Sequence, residues 1–143
     1  MNNRAMAQSY LRQAAERLRH AEEALESGNY PYTIRQSQEL VELSLKAALR
    51  FAGIEAPKWH DVGPVLRRNT QRFPEWFRTK INELASISRR LRREREPSMY
   101  GDEESGLSPD ELYTREDALT ALTDAKKVYK LCIKLLKKAS AIQ

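Results

Sequence analysis

The sequence predicts an all-α fold, an up-and-down antiparallel bundle of four long or medium helices plus one short helix. Three observations carry that expectation. Apolar residues recur at steps of three and four through most of the chain. No stretch alternates with the period of two that a half-buried strand requires. Glycines and prolines fall at the ends of the periodic stretches or between them.

The first helix is expected over about 4–27, where Leu11, Ala14, Leu18, Ala21 and Leu25 form one stripe and Gly28 suits the left-handed position after it. Pro31, near a first helical position, restarts the chain for a second helix over about 31–52. Its stripe runs Ile34, Gln38, Val41, Leu45, Ala48 and Ala52, widened by Leu49, and it stops at Gly53. The short connection makes these two helices antiparallel neighbours. A third, shorter helix is expected over about 61–72, with Gly63-Pro64 in its first turn, where proline is tolerated. Pro74 opens a fourth over about 75–95, with Phe77, Ile81, Leu84, Ser88 and Leu91 on its apolar face. Pro97 ends it, because the residue before a proline is pushed out of helical geometry. The segment 97–113, with Gly101, Gly106, Pro109 and a concentration of carboxylates, reads as an acidic loop. Thr114 and Asp117 form the capping-box pattern that starts a last helix over about 115–140, striped by Ala118, Leu122, Ala125, Tyr129, Cys132 and Leu136.

At 143 residues, with 41% hydrophobic and 31% charged side chains, the whole chain fits one globular domain. The opening residues hold no apolar leader, and charge interrupts every apolar run before it can cross a bilayer. A lone Cys132 excludes an internal disulfide and a multi-cysteine metal site, so the expected home is the cytoplasm. The net charge of +5 is unevenly spread: residues 1–57 are neutral, 58–95 carry +7, 96–117 carry −7 and 118–143 carry +5. Blocks of this kind suggest an anionic partner, self-association through opposite charges, or a solvated surface.

Several catalytic patterns are missing. There is no Gly-rich phosphate loop, no His-Glu-x-x-His pair, no Cys-x-x-Cys and no Gly-x-Ser-x-Gly elbow. The two histidines stand alone, His20 among charged neighbours and His60 before the third helix, where surface and capping roles are the simpler readings. No metal or organic cofactor is expected.

A set of segments in order carries a family resemblance. The second helix reads Gln36-Ser37-Gln38-Glu39-Leu40-Val41-Glu42-Leu43-Ser44-Leu45-Lys46-Ala47, and Lys58-Trp59-His60-Asp61-Val62 leads into the third. The fourth closes on Ser88-Arg89-Arg90-Leu91-Arg92-Arg93-Glu94-Arg95-Glu96, followed by Met99-Tyr100-Gly101-Asp102. Leu112-Tyr113-Thr114-Arg115-Glu116-Asp117-Ala118 opens the last helix. From about residue 5 to 138 this resembles the HEPN domain (higher eukaryotes and prokaryotes nucleotide-binding). The resemblance implies a helical bundle that dimerises and pairs with a small nucleotidyltransferase in toxin–antitoxin-like modules. It also implies a nucleotide or RNA as ligand, and, in active members, metal-independent RNA cleavage by an Arg followed after four to six residues by a His. Here no histidine follows Arg93 or Arg95; Tyr100 and Gly101 occupy the comparable stretch. Imidazole titrates near neutrality and suits proton transfer from a 2′-hydroxyl, whereas a phenol, titrating at about 10 in water, is a poor base. The expected function is therefore a nucleotide-, RNA- or partner-binding module without the usual ribonuclease motif. The alternatives are a ribonuclease with a degenerate Arg93, Arg95 and Tyr100 site, or a purely structural interaction domain.

The candidate binding residues are Arg89, Arg93, Arg95, Tyr100, Asp102, Glu42 and Lys46. Guanidinium groups pair bidentately with phosphates, and Arg89, Arg92 and Arg93 are expected on one helix face with Arg90 pointing elsewhere. A solvated helix end, or pairing with Asp102, Glu103 and Glu104, explains the same arginines. Tyr100 beside Gly101 fits a ligand contact or a loop anchor, and Glu42 with Lys46 fits a groove rim or an ordinary ion pair. Trp59, Trp76 and Phe77 near Arg67, Arg68 and Arg72 suit base stacking, but more simply pin a short helix to its bundle. The six lysines of the last helix read as its solvated side.

Overall fold

The computed structural model describes residues 3–56, 58 and 61–142. The helices are α1 (Asn3–Glu26), α2 (Tyr30–Phe51), α3 (Gly63–Arg68), α4 (Glu75–Arg78), α5 (Ile81–Arg93), α6 (Pro97–Tyr100), α7 (Pro109–Leu112) and α8 (Arg115–Ile142), with a 3-10 turn at Thr70–Arg72. The fold is all-α; among the described residues the only extended pairing is an isolated bridge between Asp102 and Leu107.

The first two helices stop by the same device. Gly28 takes φ 81° and Gly53 φ 79°, a left-handed geometry that a side chain disfavours. Around them, Asn29 N donates to Ala24 O at 2.8 Å and Ile54 N to Leu49 O at 2.9 Å, the long bonds of Schellman caps. Between them α2 begins under an Asn29 side chain that accepts from Tyr32 N, with Pro31 where its missing N–H costs nothing.

The α2 helix is the centre of the bundle, packed by α1, α5, α6, α7 and α8. That is why it buries Leu40 and Ala47 as well as the expected Ile34, Val41, Leu45, Ala48 and Leu49. On α1 the buried positions are Ala7, Ala14, Ala21 and Ala24, while Leu11, Leu18 and Leu25 pack at the flank. Small residues line the closest approach and the longer ones cover its edges.

Three expected elements differ. The helix expected over 75–95 is two pieces, because Lys80 N bonds back to Phe77 O at 2.9 Å, a tightened turn that separates α4 from α5. The stripe Phe77, Ile81, Leu84, Ser88 and Leu91 is nevertheless all buried. The helix expected over 61–72 is reduced to α3 and the 3-10 turn, and Gly63 lets α3 approach α5: a Cβ there would stand 3.1 Å from that of Ala85. The segment 97–113 is not an open loop. It forms α6, a turn closed by Asp102 N to Leu107 O at 2.9 Å, and α7 under a capping box of Ser108 and Glu111. The Thr114–Asp117 capping box stands as expected, with Asp117 N donating to Thr114 Oγ1 at 3.1 Å.

Candidate functional site

Where α5 ends against the middle of α2, charged side chains converge. Arg35, Gln38, Glu39, Glu42 and Lys46 recur at helical spacing, so they line one strip of α2. Glu42 is its hub. Its Oε1 accepts from Arg92 Nη1 at 3.1 Å and from Gln38 Nε2 at 3.4 Å, and lies 4.0 Å from Arg95 Nη1. Its Oε2 is 3.7 Å from Lys46 Nζ. One turn away, Glu39 pairs with Arg17 of α1 at 2.9 Å and with Arg35 at 3.3 Å. Arg35 also donates to the Arg95 carbonyl at 3.4 Å, joining the two groups.

Five cationic side chains thus share two carboxylates, and both carboxylates are about a quarter exposed. Water screens these pairs, so each contributes about 0.2–1 kcal/mol to holding α1, α2 and α5 together. The excess positive charge is not cancelled within the strip. Beneath it Gln38 is 4% exposed, and with its Nε2 directed at Glu42 its Oε1 is buried with no hydrogen-bond partner among the described residues. A buried acceptor left in that state costs on the order of 1–3 kcal/mol.

Comparison with known proteins settles the family. Residues 7–137 match the HEPN domain. The chain belongs to the HEPN family. A protein of Methanocaldococcus jannaschii named "Putative toxin MJ1304" is 30% identical over 137 residues, covering 92% of this chain and 88% of that one. The crystal structure of TT1696 from Thermus thermophilus is similar in fold, with a TM-score of 0.70 and 25% identity over 90% of this chain and 96% of that one.

Within this HEPN domain the predicted residues separate. Glu42, Lys46 and Arg95 come together in the strip. Arg89 and Arg93 do not: both are exposed side chains of α5. Nor do Arg92 and Arg93 share a face. Arg92 reaches α2, whereas Arg93 lines a cleft of about 560 Å³ with Arg90, Glu94, Tyr113 and Asp124. Arg90 turns to α8, where its Nη1 donates to Asp124 at 3.3 Å. Tyr100 is 63% exposed at the end of α6. Asp102 spends its side chain on the turn, its Oδ1 accepting from the N–H groups of Glu104 at 3.2 Å and Ser105 at 3.4 Å. The carboxylates that Arg90, Arg92 and Arg95 pair with are therefore those of Asp124 and Glu42, on other helices, and not the acidic segment that follows in sequence.

Sequence reasoning passed over Arg17, Arg35 and Glu39 as site residues, and left Arg92 outside the candidate set. The signal for two of them was present: Arg35–Glu39 is an i,i+4 pair directly before Glu42–Lys46 on the same helix. Contacts from α1 and α5 have no counterpart in local spacing. Trp76 packs edge-on against Phe77, with the Lys134 and Lys138 amines 4.6 and 5.1 Å from its ring, so it joins α4 to α8. Phe77 is fully buried. Pro57, Trp59 and His60 lie outside the described residues. Between α5 and α8, the Tyr113 hydroxyl donates to Glu94 Oε1 at 2.9 Å; burial first, and the neighbouring carboxylate second, push that phenol well above its ordinary range. Cys132 is buried, which pushes its thiol up as well. No helix among the described residues is long and apolar enough to cross a membrane.

Proposed function

We propose that this HEPN domain binds the phosphates of RNA along the α2–α5 strip, without the family's usual cleavage motif, as the toxin-like member of a pair with a small nucleotidyltransferase. The observation that carries this reading is the surplus of cations around Glu39 and Glu42, where Arg17, Arg35, Lys46, Arg92 and Arg95 share two carboxylates. Guanidinium groups on one face present paired donors at the spacing phosphate oxygens accept. Tyr100 borders this end of the domain, and the stretch after Arg93 and Arg95 carries no imidazole to take a proton from a 2′-hydroxyl. The name of the Methanocaldococcus relative supports the toxin-like role. A cytoplasmic homodimer is the working form of this reading.

Binding and cleavage of one labelled single-stranded RNA, measured in EDTA, test it together. Retention of intact RNA, weakened in Arg92→Ala and Arg95→Ala, is the expected result. Absence of binding at low salt removes the reading. Cleavage lost in both Arg95→Ala and Tyr100→Phe replaces it with a ribonuclease that uses a phenol.

A further inference from the structure

Between α1 and α8 lies a groove of about 620 Å³ that the α2–α5 strip does not use. Both helices pack on α2, and they run antiparallel: Lys126 of α8 pairs with Glu22 late in α1 at 3.0 Å, while Lys137 shares the groove with Arg4. The lining recurs at helical spacing, with Arg4, Leu11, Arg12 and Ala15 on one wall and Tyr129, Ile133 and Lys137 on the other. The groove thus follows α1 from Arg4 to Ala15, roughly 16 Å at 1.5 Å per residue, or about three helical turns.

Its lining combines hydrocarbon with unopposed positive charge. Leu11, Phe51 from the end of α2, Tyr129 and Ile133 are half-buried, so part of their apolar surface is still in water. Cations mark both ends, Lys137 with Arg4 at one and Arg12 two turns further along α1. No carboxylate lines the groove among the described residues, and neither Arg12 nor Lys137 enters an ion pair among them. The cations of the strip, by contrast, share Glu39 and Glu42.

Shape and charge together select the occupant. A small molecule is held where a cleft encloses most of its surface, whereas an open trough three turns long between two helices fits a third helix laid along it. The apolar lining asks for a stripe of hydrophobic residues on that helix, and the cations ask for carboxylates at the stripe's two ends. A second copy of this chain does not supply them. The same face set against itself opposes Arg12 and Lys137 to like charges, and the chain's helices of three turns or more, α1, α2, α5 and α8, already pack within the bundle. A homodimer formed through another face leaves the groove open.

We propose that the α1–α8 groove is the docking site for an acidic amphipathic helix of a partner protein. Its apolar stripe covers Leu11, Tyr129 and Ile133, and its flanking carboxylates pair with Arg12 and Lys137. The contact uses none of the residues around Glu39 and Glu42, so it stands or falls apart from RNA binding.

Fluorescence anisotropy of a labelled synthetic peptide, titrated with the full chain, tests it. The probe is a helix of about 16 residues, locked by a side-chain bridge on its outward face, with leucines at steps of three and four and glutamates at both ends of that stripe. The expected result is saturable binding, weakened about tenfold by Arg12→Glu and by Lys137→Glu, both at exposed positions. A second peptide with lysines in place of the glutamates binds the chain carrying both reversals and not the unaltered one. Absence of saturable binding, equal binding of the two peptides, or indifference to the reversals would overturn the proposal. Two other occupants overturn it as well: concentration-dependent self-association lost in Arg12→Glu assigns the groove to a second copy, and Arg12-dependent binding to vesicles of anionic phospholipid assigns it to a membrane surface. No peptide binding beside undiminished RNA binding removes this inference alone. A helical circular-dichroism spectrum and an unchanged unfolding midpoint show that the variants are folded.

Discussion

Replacing Glu42 by glutamine separates a phosphate-binding strip from a merely structural one, because the two readings predict opposite consequences. The substitution keeps the shape and leaves an amide oxygen to accept from Arg92, but it removes the carboxylate on which Arg92, Lys46 and Arg95 converge at 3.1, 3.7 and 4.0 Å. The side chain is 22% exposed, so the lost attraction is screened. Three weakened pairs amount to about 1–2 kcal/mol, a fall of roughly 3–6 °C in the unfolding midpoint for a chain of this size. Stability therefore drops under either reading.

RNA affinity distinguishes them. If the strip binds phosphate, Glu42 competes with the ligand for the same guanidinium groups, and removing its charge strengthens binding. Each cation released to a phosphate adds about −0.7 to the slope of log affinity against log salt for a single strand. With Arg92 and Arg95 released, Glu42→Gln steepens the slope by about 1.4 and tightens binding severalfold at low salt. Fluorescence anisotropy of a labelled single-stranded RNA in EDTA, titrated at several salt concentrations, reads both quantities. Arg92→Ala serves as the control of opposite sign. A folded Glu42→Gln protein with unchanged or weaker binding and an unaltered slope refutes the argument.

Further outcomes follow from the packing and the buried groups. Phe77→Ala empties the junction where Phe77 stacks on Phe73 at 4.9 Å and meets Trp76 edge-on, and costs about 3–5 kcal/mol in a urea titration. Gly101→Ala sets a Cβ 2.2 Å from the Leu107 carbonyl oxygen at φ 77°, so the turn opens and a Glu-specific protease cuts at Glu103 or Glu104 faster than in Gly106→Ala, where a Cβ meets nothing within 4 Å. Burial raises Cys132, and burial with Glu94 raises Tyr113, so the folded state favours their neutral forms. That stability is complete below their unfolded values of about 8.5 and 10 and is lost as pH rises past them. The urea midpoint accordingly declines above about pH 9, and Tyr113→Phe flattens the part that begins near 10.

The helical stripes were legible because each depends on neighbours three and four residues away: Ile81, Leu84 and Leu91 are buried as their spacing implies. The Gly28 and Gly53 stops were legible for the same local reason. The break between α4 and α5 was not, since no glycine or proline marks Thr79–Lys80 and the tightened turn follows from seating Phe77 in the core. The two single-turn helices in 97–113 were hidden by Gly101, Gly106 and Pro109, which read as an open loop but serve as the turn and the helix start. Of the candidate site, the Glu42–Lys46 pair and the arginine-rich end of α5 could be read, but not which arginine would face α2.

That last point bears on how charge blocks are read. Arg89, Arg90, Arg92, Arg93 and Arg95 sum to one strongly basic stretch in the sequence, yet helical geometry distributes them around α5. Arg90 is committed to Asp124 of α8, Arg92 to Glu42 of α2, and Arg89 and Arg93 remain exposed. Only charge without an internal carboxylate, or with one it must share, attracts an outside anion at physiological salt, where exposed charges are screened over roughly 8 Å. If the strip binds RNA as proposed, the exposed arginines set how fast RNA approaches, and the shared ones near Glu42 set how firmly it is held. Raising salt should slow association through the first group, and removing Glu42 should slow dissociation through the second.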